Sequence, residues 1–256
     1  VDIEGAKNNL NTEIPDWDFD KVKRAARNKW ANQLEKLQVG GGTDEQKEIF
    51  YTALYHSMLA PNQYSDIDHR FRGHDLNTHQ DDSFQMYTVF YLWDTFRTLH
   101  PLLAIIERDR TTDLIQSMLN MYKHDNLLPV WELAANETNC MIGYHAVPVI
   151  ADAILKDIGD FDRQQAFLAM QKSAETDLFG LRNYKKVGYV KADEESESVS
   201  RTLEYAYDDW CIAQTAKHLN DSAREIYFSK RAQNYQNVFD PSVGFMRARI
   251  NGGWQQ

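Results

Sequence analysis

The feature that most constrains the fold of this chain is an alternation between two kinds of helical segment. Residues 87–107, 144–158 and 200–219 are strongly apolar and aromatic, whereas the segments that follow each of them carry more charge. A helix that is apolar on all sides is buried on all sides, and an amphipathic helix covers it. Inner and outer helices in strict alternation therefore predict an all-α toroid built of helical hairpins.

The rest of the chain fits the same helical architecture. Residues 16–38 carry an apolar stripe at helical spacing, and Thr43 is predicted to cap a second helix that runs toward Pro61. Residues 62–83 are polar and irregular, with space for a short hairpin. The covering helices are predicted at residues 109–124, 161–174 and 222–239. Strands do not alternate with helices, which excludes a parallel α/β sheet, and no fixed-period repeat supports a solenoid.

Size and charge exclude several classes of function. The 256 residues are 43% hydrophobic, which is enough for a large core. The net charge of -10 comes without a basic stripe, so nucleic acid is not expected as a partner. No apolar run is long enough to span a bilayer, so a membrane is not expected either. Cys140 and Cys211 leave the possibility of one disulfide open.

Three evenly spaced histidines raise the question of a metal site. His69, His74 and His79 lie in the polar segment, but neither an HExxH motif nor a cysteine cluster accompanies them. The glycine run at residues 40–42 does not follow a strand, so it does not support a phosphate-binding loop. The residue pattern therefore predicts neither a zinc site nor a nucleotide site.

The stretch "YLWDTFRTLHP" at residues 91–101 places two charges in an apolar helix. Asp94 and Arg97 are about one turn apart, so they could form an internal salt bridge. Burying two charges is costly, however. The other interpretation places them at the cleft end of an inner helix, where Asp94 accepts hydrogen bonds from a hydroxylated ligand.

A second stretch, "LLPVWELAANETNCMIGYHA" at residues 127–146, concentrates polar and aromatic side chains between two apolar segments. Trp131 and Glu132 precede a polar loop, and His145 opens the next inner helix. An aromatic face beside a carboxylate suits a sugar, because the ring packs on C–H groups while the carboxylate binds hydroxyls. The alternative is that Glu132 caps the backbone that follows it and that His145 is a buried, hydrogen-bonded histidine.

A third stretch, "SRTLEYAYDDWCIAQ" at residues 200–214, carries paired carboxylates. Glu204 and Asp208 share one helical face at a spacing of four residues, as an acid and a base for glycoside hydrolysis could. Like charges on one face more often mark a solvated surface. The flanking aromatic residues Tyr205 and Trp210 argue against full exposure of that face.

Consecutive blocks of the chain resemble glycoside hydrolase family 92. The blocks are "LWDTFR", "LLPVWELAANETNCMIGYHAVPVIADA", "SVSRTLEYAYDDWCIAQ" and "FDPSVGFMRARINGGW", and both "FYTALYHSMLAPN" and the "FRG" at residues 71–73 fit as well. They follow in the family's order from about Trp17 onward. Long ordered blocks are a far more specific signal than a single short motif.

The resemblance implies a calcium-dependent, inverting exo-α-mannosidase that hydrolyses terminal α-mannosides of glycans. It implies a β-sandwich domain followed by an (α/α)6 barrel, so that residues 1–256 form an incomplete (α/α)6 toroid. Within that portion, residues 1–42 are the linker and first helix. The substrate-binding residues that it implies are Trp93, Asp94, Arg97, Trp131, Glu132 and His145.

The family's runs that carry the catalytic acid, the base and most calcium ligands do not occur in this sequence. The resemblance therefore assigns no catalytic and no metal-binding residue here, and it predicts that the chain alone is inactive. It also implies a secreted or periplasmic protein whose partner is the remainder of the same polypeptide or another subunit. Exposed apolar flanks around residues 17–37 and 200–239 are expected, and the native protein is expected to continue past Gln256.

Two other functions stay open on the residues alone. One is a different inverting glycosidase on the same toroid, similar to a trehalase or a glucoamylase, in which Glu132 or Asp208 is catalytic. The other is a non-catalytic helical interaction module. The enzymes require a cleft where the ends of residues 87–107, 144–158 and 200–219 converge, whereas a module requires a groove along the sides of the helices.

Overall fold

A computed structural model describes residues 1–255 of the chain, and α-helices dominate this part. The helices are α1 Ile3–Glu13, α2 Phe19–Leu34, α3 Asp44–Ser57, α4 Leu92–Thr95, α5 Leu99–Ile106, α6 Arg108–Asp125, α7 Ala146–Leu155, α8 Arg163–Glu175, α9 Leu181–Val187, α10 Ser198–His218 and α11 Ser222–Arg231. A 3-10 helix at Ala232–Val238 follows α11. None of the helices within residues 1–255 is long and apolar enough to cross a membrane.

The strands are short and pair into five two-stranded antiparallel sheets. They are β1 Asn62–Gln63, β2 Arg70–Arg72, β3 Thr78–Gln80, β4 Tyr87–Thr88, β5 Phe90–Tyr91, β6 Trp131–Glu132, β7 Phe239–Asp240, β8 Phe245–Met246, β9 Arg249–Ile250 and β10 Gly253–Trp254. The pairs are β1 with β4, β2 with β3, β5 with β6, β7 with β8, and β9 with β10. The β2–β3 hairpin lies in the polar segment where the sequence left space for one.

Three helical hairpins form the body of the structure. They are α5–α6, α7–α8 and α10–α11, and α7 packs against both α5 and α10. On the outer side, α6 packs against α8. Eight residues of α7 are buried, whereas α11 buries only Phe228 and Arg231. Apolar inner helices and covering outer helices therefore confirm the all-α, toroid-type fold.

Residues 87–107 do not form the single helix that the apolar pattern predicts. This segment contains β4 and β5, then the short helix α4, and only then α5. Val89 has a φ of 66°, outside the helical region. Inside a continuous helix, Pro101 would lack the N–H that bonds to the carbonyl oxygen of residue 97, and its ring would clash with that carbonyl group. Pro101 is accommodated because it lies in the first turn of α5.

The ends of other helices also differ from the sequence prediction. The helix expected over residues 16–38 is α2, which begins after the capping side chain of Asp18 and ends at Leu34. Thr43 is confirmed as a cap, because its side chain accepts from the Gln46 N–H in a capping box. The helix expected over residues 222–239 ends at Arg231 and continues as the 3-10 helix. Helix α1 was not predicted.

Large apolar side chains are exposed at both flanks of the body. Helix α2 buries none of its residues, and Phe19 at its start is 77% exposed, next to Trp17 at 78%. At the other flank, Ile226 of α11 is 71% exposed and Trp210 of α10 is 48% exposed. These are the two regions where the sequence predicts apolar surface.

Candidate functional site

The three inner helices converge on a cavity of about 380 Å³. Its lining combines residues before and within α5 with residues of α7 and α10: Phe96, Arg97, Pro101, Pro148, Asp152, Glu204 and Tyr207. The lining residues lie just before α5 and along the N-terminal parts of α5, α7 and α10. The lining is both charged and aromatic, which is the combination that a polar ligand with apolar faces requires.

Arg97 joins two of the predicted site regions. Its guanidinium donates from Nη2 to Glu204 Oε1 at 2.8 Å and from Nη1 to the carbonyl oxygen of Trp93 at 2.8 Å. It also lies over the Trp93 ring, 5.0 Å from the centroid. In the described part of the chain Arg97 forms no ion pair with Asp94, so the internal salt bridge considered for these two residues does not form. Its carboxylate partner comes from α10 instead.

His145 lies between two carboxylates of α10 and is almost fully buried. Its Nδ1 is 2.8 Å from Asp208 Oδ1, and its Nε2 is 3.2 Å from Glu204 Oε2. The ring stacks on Phe96 at 4.0 Å. Burial on its own would lower the pKa of His145, but the negative charges of Asp208 and Glu204 outweigh it and raise the pKa to about 9. His145 is therefore an imidazolium held between Glu204 and Asp208.

Asp208 supports the site from the interior. Its side chain is fully buried, and its Oδ2 accepts the backbone N–H of Tyr144 at 2.8 Å, immediately before α7. Glu204 and Asp208 do share one helical face, as their spacing predicts, but only Glu204 lines the cavity. The arrangement does not suit an acid–base pair, because Asp208 has no access to a substrate.

The neighbouring Asp209 forms a separate buried network. Its carboxylate accepts from the hydroxyls of Tyr144 at 2.8 Å and Tyr184 at 2.9 Å, and from Arg231 Nε at 2.9 Å. Burial raises the pKa of Asp209 to about 6, although Arg231 and the two hydroxyls oppose this. This network ties α10 to α9, α11 and the start of α7, and so holds the face that carries Glu204.

Trp93 and Asp94 lie at the start of the same region. Asp94 is exposed, and no other side chain of residues 1–255 forms an ion pair or a hydrogen bond with it. The Trp93 indole N–H is buried and has no hydrogen-bond partner within that range. The exposed Asp94 carboxylate is therefore available to a polar ligand, whereas the buried Trp93 N–H is not.

The short β5–β6 sheet places Trp131 near these residues. Tyr91 pairs with Trp131 and Phe90 with Glu132, and the rings of Tyr91 and Trp131 are 6.3 Å apart. Since α4 begins directly after β5, the sheet brings the segment of Trp131 next to the segment of Trp93. Asp94, Trp131 and Glu132 are not among the described residues that line the 380 Å³ cavity.

Glu132 points into the protein instead of toward a cleft. It is completely buried, and its carboxylate accepts from the Thr88 hydroxyl at 2.8 Å and from the backbone N–H groups of Val89 and Ala135 at 3.0 and 2.9 Å. This agrees with the alternative that Glu132 caps the backbone that follows it. Its carboxylate has the same function as a helix cap, which is to satisfy buried N–H groups.

Glu137 is a structural carboxylate to which the sequence analysis assigned no role. Its oxygens accept from the backbone N–H groups of Val130, Trp131 and Asn139 at distances of 2.7–3.0 Å. Glu132 and Glu137 thus stabilise the segment at residues 127–146 by accepting hydrogen bonds from its backbone N–H groups. This segment lines a second cavity of about 510 Å³ together with His74 and other residues.

Comparison with known proteins identifies the family. The model of the glycosyl hydrolase family 92 catalytic domain matches residues 5–256. The chain belongs to this family. Membership excludes a different glycosidase family, and the buried positions of Glu132 and Asp208 agree with this.

Solved structures of family 92 proteins superpose on the whole chain. A family GH92 alpha-mannosidase from Bacteroides thetaiotaomicron is 42% identical, with a TM-score of 0.96 over 100% of this chain and 35% of its own. It has also been solved in complex with mannoimidazole. A family GH92 inverting mannosidase from Bacteroides thetaiotaomicron VPI-5482 is 33% identical, with a TM-score of 0.94 over 100% of this chain and 36% of its own.

A curated relative is more distant in sequence. It is an uncharacterized secreted glycosidase from Arthroderma benhamiae, 28% identical over 99% of this chain and 33% of the relative. The family 92 chain thus spans about a third of the length of the proteins that it matches.

Proposed function

We propose that this family 92 chain forms one wall of the sugar site of an exo-acting α-mannosidase, and that the whole protein hydrolyses terminal α-mannosides of glycans with inversion. The observation that carries the proposal is the cavity between the N-terminal parts of α5, α7 and α10, where Arg97 and the buried His145 both contact Glu204. The alpha-mannosidase and inverting mannosidase relatives support the substrate and the stereochemistry.

The proposal gives each side chain a distinct task. The exposed carboxylate of Asp94 accepts hydrogen bonds from sugar hydroxyls, and the Trp93 ring supports the Arg97 guanidinium that lies over it. Trp131 offers an aromatic face for the C–H side of a sugar ring. Arg97 and His145 do not react, but they fix Glu204 and the wall around it. Glu132 holds the backbone at Val89 and Ala135, and Glu137 accepts the backbone N–H of Trp131.

In this proposal the acid and the base of the reaction belong to the whole protein and not to this chain. An inverting enzyme needs two carboxyl groups about 6.5–9.5 Å apart, with a water between one of them and the sugar. The carboxylates of Glu132, Asp208 and Asp209 are each fully buried and hydrogen-bonded. None of the three can reach a substrate from that position.

Calcium is the cofactor proposed for the whole protein, and residues 1–255 hold no cluster of oxygen ligands that suits it. Calcium takes about six to eight oxygen ligands. Within residues 1–255, the one group of side chains close enough to share a metal ion is Asp75, His79 and His124, and two of these are imidazoles. No step that involves calcium is therefore assigned to this chain.

The partners of the proposal are mannose-containing glycans and the remainder of the same polypeptide. An extracellular or periplasmic location fits a glycan-degrading enzyme, and the secreted glycosidase among the relatives supports it.

The proposal is tested with the full-length protein and an aryl α-mannoside. We expect calcium-dependent turnover that chelation abolishes, and a β-configured first product seen by proton NMR. Asp94→Asn should lower kcat/KM about 10- to 100-fold, because a hydrogen bond to a charged group contributes about 1.5–3 kcal/mol. Asp193→Asn, which changes an exposed carboxylate elsewhere, is the matched control.

Three outcomes would count against this assignment. They are an α-configured first product, a full-length protein that is inactive on α-mannosides, and an Asp94→Asn variant that behaves like Asp193→Asn. Residues 1–256 assayed alone should show no turnover. A rate of about 1 per second or more would move catalysis onto this chain and contradict the proposed division of roles.

A further inference from the structure

A second polar cluster lies outside the candidate sugar site, between the β2–β3 hairpin and the last turn of α6. Asp75 and His79 come from the hairpin, and His124 comes from α6. One ligand atom of each residue lies within 4.8 Å of the other two. His79 and His124 are partly buried, and Asp75 is at the rim.

The three side chains lie close enough to share one ion after a small adjustment. His79 Nε2 is 2.8 Å from Asp75 Oδ1, and His124 Nδ1 is 3.7 Å from Asp75 Oδ2, which is too long for a hydrogen bond. The centroids of the two imidazoles are 4.8 Å apart. In a tetrahedral zinc site with metal–ligand distances of about 2.1 Å, ligand atoms lie about 3.4 Å from one another. Side-chain rotations that move the ligand atoms by about 1 Å would bring them to that spacing.

The surroundings hold the carboxylate and leave no space for another side chain. Asp75 accepts from the backbone N–H of Asn77 at 3.1 Å and from the Asn77 side-chain amide at 3.0 Å. At Gly73 a Cβ atom would lie 2.7 Å from Cδ2 of His79 and 2.8 Å from Asp75 Oδ1. Hydrogen bonds that orient a ligating carboxylate are typical of metal sites. Because Gly73 has no side chain, the His79 imidazole can occupy the space beside it.

We propose that Asp75, His79 and His124 bind a divalent transition-metal ion, with zinc as the best match. Two imidazoles and one carboxylate are ligands that zinc prefers, whereas calcium prefers oxygen atoms only. The exposed rim at Asp75 leaves the fourth position to a water molecule. The site is distinct from the calcium of the proposed mannosidase reaction, and it does not depend on that reaction.

The ion would fix the hairpin to helix α6. The next residues of the same two elements, His74 and Asp125, already form an ion pair, and both line the 510 Å³ cavity. A metal at Asp75, His79 and His124 therefore holds one wall of that cavity in place. Its role is structural, because no side chain of the 380 Å³ cavity belongs to the cluster.

The test uses the full-length protein after removal of metals by chelation. Titration with Zn²⁺ alone, followed by calorimetry, should show one equivalent bound. His124→Ala and Asp75→Asn should each weaken this binding at least about 10-fold, which is the usual effect of losing a ligand or its support. His56→Ala, which changes an exposed histidine of α3, should leave the affinity unchanged.

A spectroscopic measurement keeps the test independent of variant stability. Co²⁺ added to the unmodified protein should give the visible bands of a four-coordinate ion, without a thiolate charge-transfer band. Zn²⁺ should displace it. Absence of both the Zn²⁺ equivalent and the Co²⁺ bands, or binding that His124→Ala and Asp75→Asn leave unchanged, would overturn the metal site. Mannosidase activity is not a readout here, so failure of the metal site and failure of the proposed function are distinguishable.

Discussion

At the scale of single residues, His145 combines burial with a positive charge. It lies between Asp208 and Glu204, which outweigh burial and raise its pKa from 6.5 to about 9. The folded protein binds this proton more tightly than the unfolded chain does. The interaction of protonated His145 with Asp208 and Glu204 therefore stabilises the fold fully below about pH 6.5. That stabilisation is lost as the pH rises through about 9.

We therefore expect His145→Gln to destabilise the protein most at low pH. The difference in free energy of unfolding between the unmodified protein and the variant should be about 3 kcal/mol larger near pH 6 than near pH 10. Urea unfolding at the two pH values measures it. His56→Gln, at an exposed position, should show no such dependence. A His145→Gln effect that is equal at both pH values would mean that the histidine is neutral in the fold.

At the scale of elements, a buried ion pair links helices α10 and α11. Arg231 of α11 donates to Asp209 of α10 at 2.9 Å and also to the carbonyl oxygen of Ala174 at the end of α8. Arg231→Ala leaves the buried carboxylate without its cation, which costs about 3–5 kcal/mol. Thermal and urea unfolding should both show this loss. Adding Asp209→Asn should recover part of it, because the unpaired charge is then removed.

The matched control for this pair is Arg182→Ala. Arg182 forms an exposed ion pair with Asp177 at 3.6 Å, and pairs of this kind contribute about 0–1 kcal/mol. Should Arg231→Ala prove as mild as Arg182→Ala, the Asp209 network would not hold the hairpin. A double variant that is less stable than Arg231→Ala alone would contradict the idea that an unpaired charge causes the loss.

At the scale of the whole molecule, the exposed flanks decide how residues 1–256 behave alone. Phe19 and Ile226 are more than two-thirds exposed, and large apolar surfaces on a soluble chain promote association. We expect the isolated chain to self-associate, measured by light scattering after size exclusion. Phe19→Ser with Ile226→Lys should reduce the associated fraction, whereas Lys23→Ser with Lys230→Ser, at exposed polar positions of the same helices, should not.

A monodisperse monomer would contradict this prediction. The same holds for a single cooperative thermal transition at about 45–65 °C, the usual range for independent mesophilic domains. Either result would mean that the hairpins are stable without a cover on their apolar flanks.

Much of the fold was readable from local sequence. Apolar inner helices and charged outer helices follow from periodicity, because a helix that is apolar on every face has to be covered. The Thr43 cap followed from residue type and spacing alone. The long ordered blocks identified the family. The error at residues 87–107 arose because apolar content does not distinguish a strand from a helix, and the pairing of β5 with β6 involves residues about 40 positions apart.

The functional side chains were found by type, but tertiary contacts decided their partners. The sequence by itself placed Asp94 and Arg97 in an apolar segment, where charged groups need partners or ligands, and singled out Glu132 and His145 beside apolar segments. Only the folded structure pairs Arg97 with Glu204, 107 residues away, and not with its neighbour Asp94. It also places Glu132 inside the protein. The proximity of His124 to the β2–β3 hairpin is likewise invisible in a sequence, because a metal-type cluster depends on how separate elements pack and not on the spacing within one of them.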